Sequence, residues 1–229
     1  MKVKLINHSG VSNNLAENVA YTARVSNPEN QHNSLSSDKL IKYLIKHQHW
    51  SPFEMLSICM EIETTRDIAR QILRHRSFSF QEFSQRYADP TGVLGFAPKE
   101  ARLQDTKNRQ NSIQLDFNDA KDRELNETFR MKQYELIRRV QEIYEWAIKN
   151  GIAKEQARAV LPEGLTVSRM YMSGTLRSWI HYIELRSGNG TQLEHRLIAV
   201  NCAKAIKPYF PMIEEFVDFN GLEAYNISL

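Results

Sequence analysis

The chain has 229 residues, 41% hydrophobic and 25% charged, with a formal net charge of +3. That composition is ordinary for a globular protein of one large domain or two small ones. It argues against a dedicated nucleic-acid binder, and no run of about eighteen apolar residues is present to make a helical membrane span. The start, MKVKLINHSG, is basic but leads into neither a long apolar core nor a small-residue cleavage site, so export is not expected. Cys59 and Cys202 stand far apart and outside any C-x-x-C spacing. Neither a disulfide framework nor a zinc site is expected, and a reducing cytoplasm fits.

Lys2 to Asn7 alternates as a short strand. Ser12 to Val25 carries Leu15, Val19 and Ala20 on one side, a helix that must end before Pro28. The stretch from Asn27 to Ser36 is polar loop. Ser37 and Asp38 can cap a helix through Leu40, Tyr43, Leu44 and His47 that stops before Pro52. From Phe53 to Thr65 the residues alternate, with Leu56, Ile58, Met60 and Ile62 on one face, so a strand feeds directly into the next helix. After the Asp89-Pro90 turn, Thr91 to Ala97 reads as another strand. Pro98 to Asn118 is polar and aperiodic, either a surface excursion or a loop over an active site.

Asp119 to Asn150 is the longest helix, with Leu136, Ile137, Val140, Ile143, Tyr144, Ala147 and Ile148 in a stripe and Asn150-Gly151 as its end. At 1.5 Å per residue it is about 45 Å long, enough for part of it to pack on a partner subunit. A helix from Ile152 to Leu161 stops at Pro162-Glu163-Gly164, and Leu165 to Met172 follows as a strand. Thr175 to Arg186 and Gln192 to Lys207 read as helices around Ser187-Gly188-Asn189-Gly190, and Pro208 and Pro211 start a last helix toward Val217. The class is α+β: a central antiparallel or mixed sheet with long flanking helices, in a single domain over 1–229.

Chemistry concentrates in Arg66 to Tyr87, RDIARQILRHRSFSFQEFSQRY, which holds five arginines and no lysine. A guanidinium is a planar fork that binds phosphate or carboxylate bidentately, whereas an ammonium is a flexible point charge. Arg66, Arg70 and Arg74 step by four and so share a helix face, away from Ile68, Ala69, Ile72 and Leu73. Ser77-Phe78-Ser79-Phe80 is poor helix material, so the helix ends or bends there. Gln81 to Arg86 then offers an acid, a hydroxyl, amides and another guanidinium. The stretch suits an anion that also carries hydrogen-bonding groups. Spacing alone equally allows a solvated helix face for Arg66 and Arg70.

The pattern Arg74-His75-Arg76, seven residues, then Ser84 resembles the RHR-x7-S signature of the flavin-dependent thymidylate synthases. Three more segments are similar to that family. His49-Trp50-Ser51-Pro52-Phe53-Glu54 is similar to its H-x-[ST]-P-F-E turn, and Ala157-Arg158-Ala159-Val160-Leu161-Pro162 to its A-R-x-x-L-P. The third is the run Leu176 to Arg186, in which Arg177 and His181 share a face, followed by Thr191-Gln192-Leu193-Glu194. The resemblance spans nearly the whole chain.

It implies an FAD-dependent homotetramer with sites at subunit junctions. Such an enzyme makes dTMP from dUMP, taking the carbon from methylenetetrahydrofolate and the reducing equivalents from NADPH. By match, Gln71, Arg74, Glu82, Ser84, Gln85, Arg86, Arg158 and Arg186 would surround dUMP. Ser51, Arg74, His75, Arg76, Glu82, Thr175, Arg177 and His181 would touch FAD. Ser84 and Arg86 would face the phosphate, Arg74 would bridge both ligands, and Arg186 would serve catalysis. Two positions depart from the pattern: many members have asparagine where Thr175 stands, and often histidine where Gly190 stands. The segment RLQDTKNRQNS, Arg102 to Ser112, has no counterpart in the common pattern and is a candidate to supply what those positions lack.

The residues themselves agree. No GxGxxG or Walker pattern is present, so a flavin would not sit in a Rossmann site, and an arginine-lined pocket with few carboxylates suits two ligands rich in phosphate. Cys59 and Cys202 read as apolar packing residues rather than nucleophiles. The alternatives are a flavin-dependent pyrimidine-nucleotide hydroxymethylase and, from another class, a single-stranded nucleic-acid binder using Phe78, Phe80, Phe83 and Tyr87.

Overall fold

The structure, a computed structural model, describes residues 1–10 and 12–222. Its sheet is built from the alternating runs. β1 (Lys2–His8), β2 (Ser57–Thr65), β3 (Phe78–Glu82) and β6 (Val167–Thr175) lie in the order β1-β2-β6-β3, every neighbouring pair antiparallel. β2 and β6 are the inner strands, paired without a break from Ser57 opposite Thr175 to Thr65 opposite Val167. Each runs straight into a helix, β2 into α3 (Arg66–Ile72) and β6 into α7 (Leu176–Ser187).

Ile58, Met60 and Ile62 of β2, with Met170 and Met172 of β6, are fully buried. They pack with α1 (Leu15–Ala23), α2 (Ser37–Lys46), α3, α7 and α8 (Leu193–Ile206) in one apolar cluster. Trp179 of α7 is wholly buried, and its indole N–H donates to the Ile58 carbonyl at 3.0 Å, which satisfies the one polar atom it carries inside. Both cysteines pack: Cys202 is buried in α8 and Cys59 is half-buried in β2.

α5 (Ala120–Lys149) is capped by the Asp119 carboxylate, which accepts from the Lys121 amide at 2.7 Å. Of its expected stripe, Ile137, Val140, Tyr144 and Ala147 are buried, while Leu136 and Ile148 are exposed. Val140, Tyr144 and Ala147 pack against Ala157 and Leu161 in a second, smaller cluster. Leu125, Phe129, Met131, Tyr134 and Trp146 leave apolar surface uncovered along the same helix.

Several expectations are corrected. β2 begins at Ser57, because residues Ser51–Met55 form a 3-10 turn set by the fixed φ of Pro52. Thr91 to Ala97 is not a strand: Asp89 accepts from the Thr91 amide at 2.7 Å and caps the single-turn helix α4 (Pro90–Val93), and only Phe96 makes a bridge, to Thr166. β3 occupies the stretch expected only to break a helix, its Phe78 and Phe80 alternating at strand period.

The segment from Ile152 to Leu161 holds only α6 (Lys154–Ala157) and a 3-10 turn, Arg158–Val160. The last helix is likewise a 3-10 stretch, Pro211–Phe216. Ser37 does not cap α2 with its side chain; it lies in the first turn with its hydroxyl buried and unpartnered. The polar segment 98–118 is neither plain loop nor free excursion. It contains a hairpin of β4 (Arg102–Gln104) and β5 (Ser112–Gln114), and Gln133 of α5 staples its start by exchanging two 2.8 Å bonds with the Lys99 backbone. Among the described residues no helix is long and apolar enough to cross a membrane.

Candidate active site

α3 ends at Ile72, so Arg74 is not on the helix face of Arg66 and Arg70. Of the two helical arginines, Arg66 is buried and Arg70 stays exposed, and both are ion-paired. Arg66 is only 8% exposed, its guanidinium 3.6 Å from Glu82 and 3.8 Å from Glu163. Arg70 approaches the same two carboxylates at 3.7 and 3.4 Å. Glu82 also accepts from the Ser168 hydroxyl at 2.8 Å. The expectation of few carboxylates here is therefore wrong: Glu82 and Glu163 neutralise the buried end of the arginine series. Burial lowers the pKa of Arg66, with Glu82 opposing that effect.

Arg74 and Arg76 differ. They are exposed, and no ion pair or side-chain hydrogen bond links either to another described residue. Between them, His75 turns inward. Arg186, at the end of α7, donates from Nε to His75 Nε2 at 2.8 Å, so that nitrogen carries no proton. Burial first, and then the Arg186 charge, pull the His75 pKa from 6.5 to about 4. The imidazole is neutral and acts as a stop that orients the guanidinium plane. Tyr182 packs edge-on against the His75 ring, centroids 4.9 Å apart.

Behind this pair runs a chain of polar side chains. Tyr182 and His195 Nε2 are 3.1 Å apart, His195 Nδ1 and Gln71 Oε1 are 3.3 Å apart, and Gln71 bonds Gln192 at 2.8 Å. Gln192 bonds Glu194 at 2.9 Å, and Glu194 pairs with Arg102 of the hairpin at 2.6 Å. Of these, only Gln71 was assigned a ligand contact; Tyr182, Gln192 and Glu194 lie in segments similar to the family, and Arg102 in the segment without a counterpart. The signal for His195 was a titratable ring at a core position of α8, one residue beyond the Thr191 to Glu194 motif.

The remaining expected residues form two further groups. Near the start of α7, Arg177 pairs with Glu54 and the Thr175 hydroxyl accepts from the Ser178 amide at 3.2 Å as the helix cap. Ser178 in turn donates to the Ser77 carbonyl at 3.2 Å, tying this helix start to the Arg74–Arg76 segment. His181 lies 4.7 Å from the Trp50 ring, and Ser51 is exposed on the same turn. In the other group Arg86 is 3.3 Å from Glu155, and Arg158 donates to the Glu155 carbonyl at 3.3 Å. Ser84 accepts from the Arg86 amide at 3.3 Å, and Gln85 is buried with its amide nitrogen unpartnered. No side-chain hydrogen bond or ion pair among the described residues joins the Arg86 group to the other two.

Gly190 has φ of +153, a conformation that an L side chain rarely adopts, and a Cβ there would sit 3.9 Å from Gln110 of the 98–118 segment. That segment therefore does reach the position where the family often has histidine. Between the hairpin and the Asn189–Leu193 loop lies a polar cleft of about 490 Å³, lined by Arg109, Gln110, Asn189 and Gln192 among others.

A family model described as thymidylate synthase complementing protein matches residues 4–212. The probable flavin-dependent thymidylate synthase of Paramecium bursaria Chlorella virus 1 is 47% identical over 207 residues, covering 90% of this chain and 92% of its own. The flavin-dependent thymidylate synthase of Synechocystis sp. is 48% identical over 195 residues, covering 85% and 86%. Among solved structures, the UMP/dUMP methylase PolB from Streptomyces cacaoi, bound with 5-Br dUMP, superposes with a TM-score of 0.74 at 26% identity, covering 94% of this chain and 93% of that one. With a family match over nearly its full length and relatives near half identity, the chain belongs to the flavin-dependent thymidylate synthase family.

Proposed function

We propose that this protein methylates dUMP to dTMP at a site built around Arg186, His75 and the Arg74–Arg76 pair, with FAD as cofactor, methylenetetrahydrofolate as carbon donor and NADPH as reductant. The observation that carries the reading is the contrast among arginines. Arg66 and Arg70 are neutralised by Glu82 and Glu163, whereas Arg74 and Arg76 stand exposed with no carboxylate among the described residues. Two forked cations without counter-ions, on either side in sequence of the His75 that orients Arg186, suit phosphate-bearing ligands.

The residues present fit a flavin nucleotide and a pyrimidine nucleotide. Gln85 holds a buried amide nitrogen without a partner, a donor waiting for an acceptor. Arg177, held by Glu54, and His181, against Trp50, offer a second cation and an aromatic edge at the start of α7. When bound, the flavin supplies the redox chemistry; the chain contributes position and charge. Ser84 and Arg86 donate toward the phosphate of dUMP, with Arg158 beside them. Gln71, Glu82 and Gln85 hold the nucleoside, and Arg74 bridges the two ligands. Ser51, Arg76 and Thr175 complete the flavin contacts.

Both thiols have pKa values raised by burial, so neither Cys59 nor Cys202 is poised to attack the ring. C5 of uracil must become electron-rich without an enzyme thiolate. Arg186 serves this step by stabilising negative charge that develops at N3 and the carbonyl oxygens, the logic of an oxyanion hole.

The uncovered apolar length of α5 supports burial against other copies, in a homotetramer of about four times 26.7 kDa by light scattering. Cytoplasmic residence accords with two free cysteines. The deciding experiment combines the absorption spectrum of the purified protein with the mass of the product from dUMP. A flavin spectrum and a methylated product are expected. A hydroxymethylated product would move the reading to the hydroxymethylase. A colourless protein that refuses added FAD but binds an oligonucleotide in a salt-sensitive way would overturn it.

A further inference from the structure

The proton positions of the buried side-chain series can be read from one end. Glu194 is paired with the Arg102 guanidinium at 2.6 Å, so its carboxylate accepts and cannot donate. The Gln192 atom 2.9 Å from it must then be the amide nitrogen, which leaves Gln192 Oε1 facing Gln71 at 2.8 Å. Gln71 must present its own nitrogen there and turn Oε1 toward His195, 3.3 Å away. An amide oxygen can only accept, so His195 carries its proton on Nδ1. Its Nε2 is left bare and accepts from the Tyr182 hydroxyl at 3.1 Å.

Every link donates toward Glu194. Reversing one link sets two donors or two acceptors face to face, and at the His195–Tyr182 end water is excluded, since His195 is 0% and Tyr182 1% exposed.

We propose that His195, as its Nδ1–H tautomer, is a positioning residue that fixes the Gln71 amide for the pyrimidine nucleotide, and that Arg102 of the β4–β5 hairpin sets the direction of that amide through Glu194. With one N–H committed to Gln192, Gln71 keeps one amide N–H and one carbonyl lone pair for the ligand. Gln71 thus presents a fixed donor and a fixed acceptor rather than an amide free to flip. The hairpin, remote in sequence from the Arg74–Arg76 segment, thereby takes part in recognising the base. Burial, with Arg186 and His75 adding to it, also lowers the His195 pKa to about 3, in keeping with a neutral ring. The inference rests on the reading that Gln71 touches dUMP.

The test is nitrogen-15 NMR of the histidine-labelled, flavin-loaded protein, with His195 assigned by the signal missing from His195→Gln. A protonated Nδ1 and a bare Nε2 are expected, with or without nucleotide; the opposite tautomer or a charged ring overturns the proposal. Glu194→Gln, which is isosteric, removes the obligatory acceptor and lets the series run either way. It should produce a mixed tautomer and weaken dUMP binding by calorimetry about tenfold, the worth of one hydrogen bond, with kcat changed less than about twofold. Unchanged dUMP affinity in that variant overturns the proposal. Tyr182→Phe tests the other end, and there the Nδ1–H tautomer should persist because Glu194 dictates it; a switched tautomer overturns the proposal without need of the first variant. Failure of the wild-type protein to bind dUMP would instead sink the proposed function, and the ligand-independent NMR result distinguishes the two cases.

Discussion

At the scale of single residues, Arg186 and the two cysteines decide between mechanisms. Arg186 was expected as the catalytic cation, with a helix-end charge as the plainer role. The 2.8 Å bond from its Nε to His75 gives that choice a geometry, because only a guanidinium has an Nε–H to spend while keeping its terminal nitrogens free. Lysine would retain the charge at the end of α7 and lose both the bond to His75 and the planar fork. Arg186→Lys should therefore keep the fold and the flavin spectrum but lower the rate at saturating dUMP by at least about 10²-fold, a typical loss for one preorganised donor. Near-normal turnover would return Arg186 to a charge at a helix end. The cysteines make the converse prediction. Replacing both Cys59 and Cys202 with alanine should leave kcat within about twofold and cost roughly 1 kcal/mol of stability per buried thiol in urea unfolding. A folded, flavin-loaded double variant without turnover would show that a thiol takes part.

At the scale of elements, what was legible followed periodicity and what was missed followed brevity. β2, α5, α7 and α8 stand close to where their apolar repeats placed them. β3 was missed because a five-residue strand between two arginine-rich stretches shows only Phe78 and Phe80 as its pattern. The polar hairpin was missed because β4 and β5 are three residues each and bury little. The glycine opposite β3 explains how so short a strand holds. Gly174 in β6 pairs with Phe78, and a Cβ there would fall well inside contact distance of the Phe78 ring. The ring therefore lies across the glycine and packs on Trp179 at 4.8 Å. Gly174→Ala should displace Phe78, the residue two beyond Arg76, and destabilise the protein by about 1–3 kcal/mol in chemical unfolding, the usual cost of overpacking. The Cβ offers no new interaction to offset this, so unchanged stability would mean that the strand shifts freely. In that event β3 could not be what orients the Arg74–Arg76 segment.

At the scale of the whole molecule, the site was legible as a family pattern but not as a set of pairings. The family resemblance brought Gln71, His75 and Arg186 forward, yet it could not tell that Arg66 and Arg70 answer to Glu82 and to the remote Glu163. Nor could it tell that His195 lies behind Gln71, since carboxylates and rings that meet across the fold leave no local signature. That burial has a global consequence. His75, between α3 and β3, and His195, in α8, lie 6.3 Å apart between ring centroids, and burial together with the Arg186 charge holds their pKa values at about 4 and about 3, against 6.5 for the free ring. Between pH 6.5 and those values the unfolded chain binds protons that the folded chain refuses. The stabilising contribution of the neutral rings is therefore complete above pH 6.5 and is lost as pH falls toward 4 and then 3. For the buried His195 the slope approaches roughly 1.4 kcal/mol per pH unit, the value for one proton. The melting temperature should fall steadily below pH 6.5, well above the range where Glu63, held low by Arg169, begins to contribute. In His195→Gln the pH dependence should be shallower even if the variant is less stable at neutral pH, because a neutral amide takes up no proton in either state. A wild-type melting temperature that stays flat from pH 6.5 to 4.5 would mean that both rings are charged in the folded protein, contrary to the bond that leaves His75 Nε2 bare.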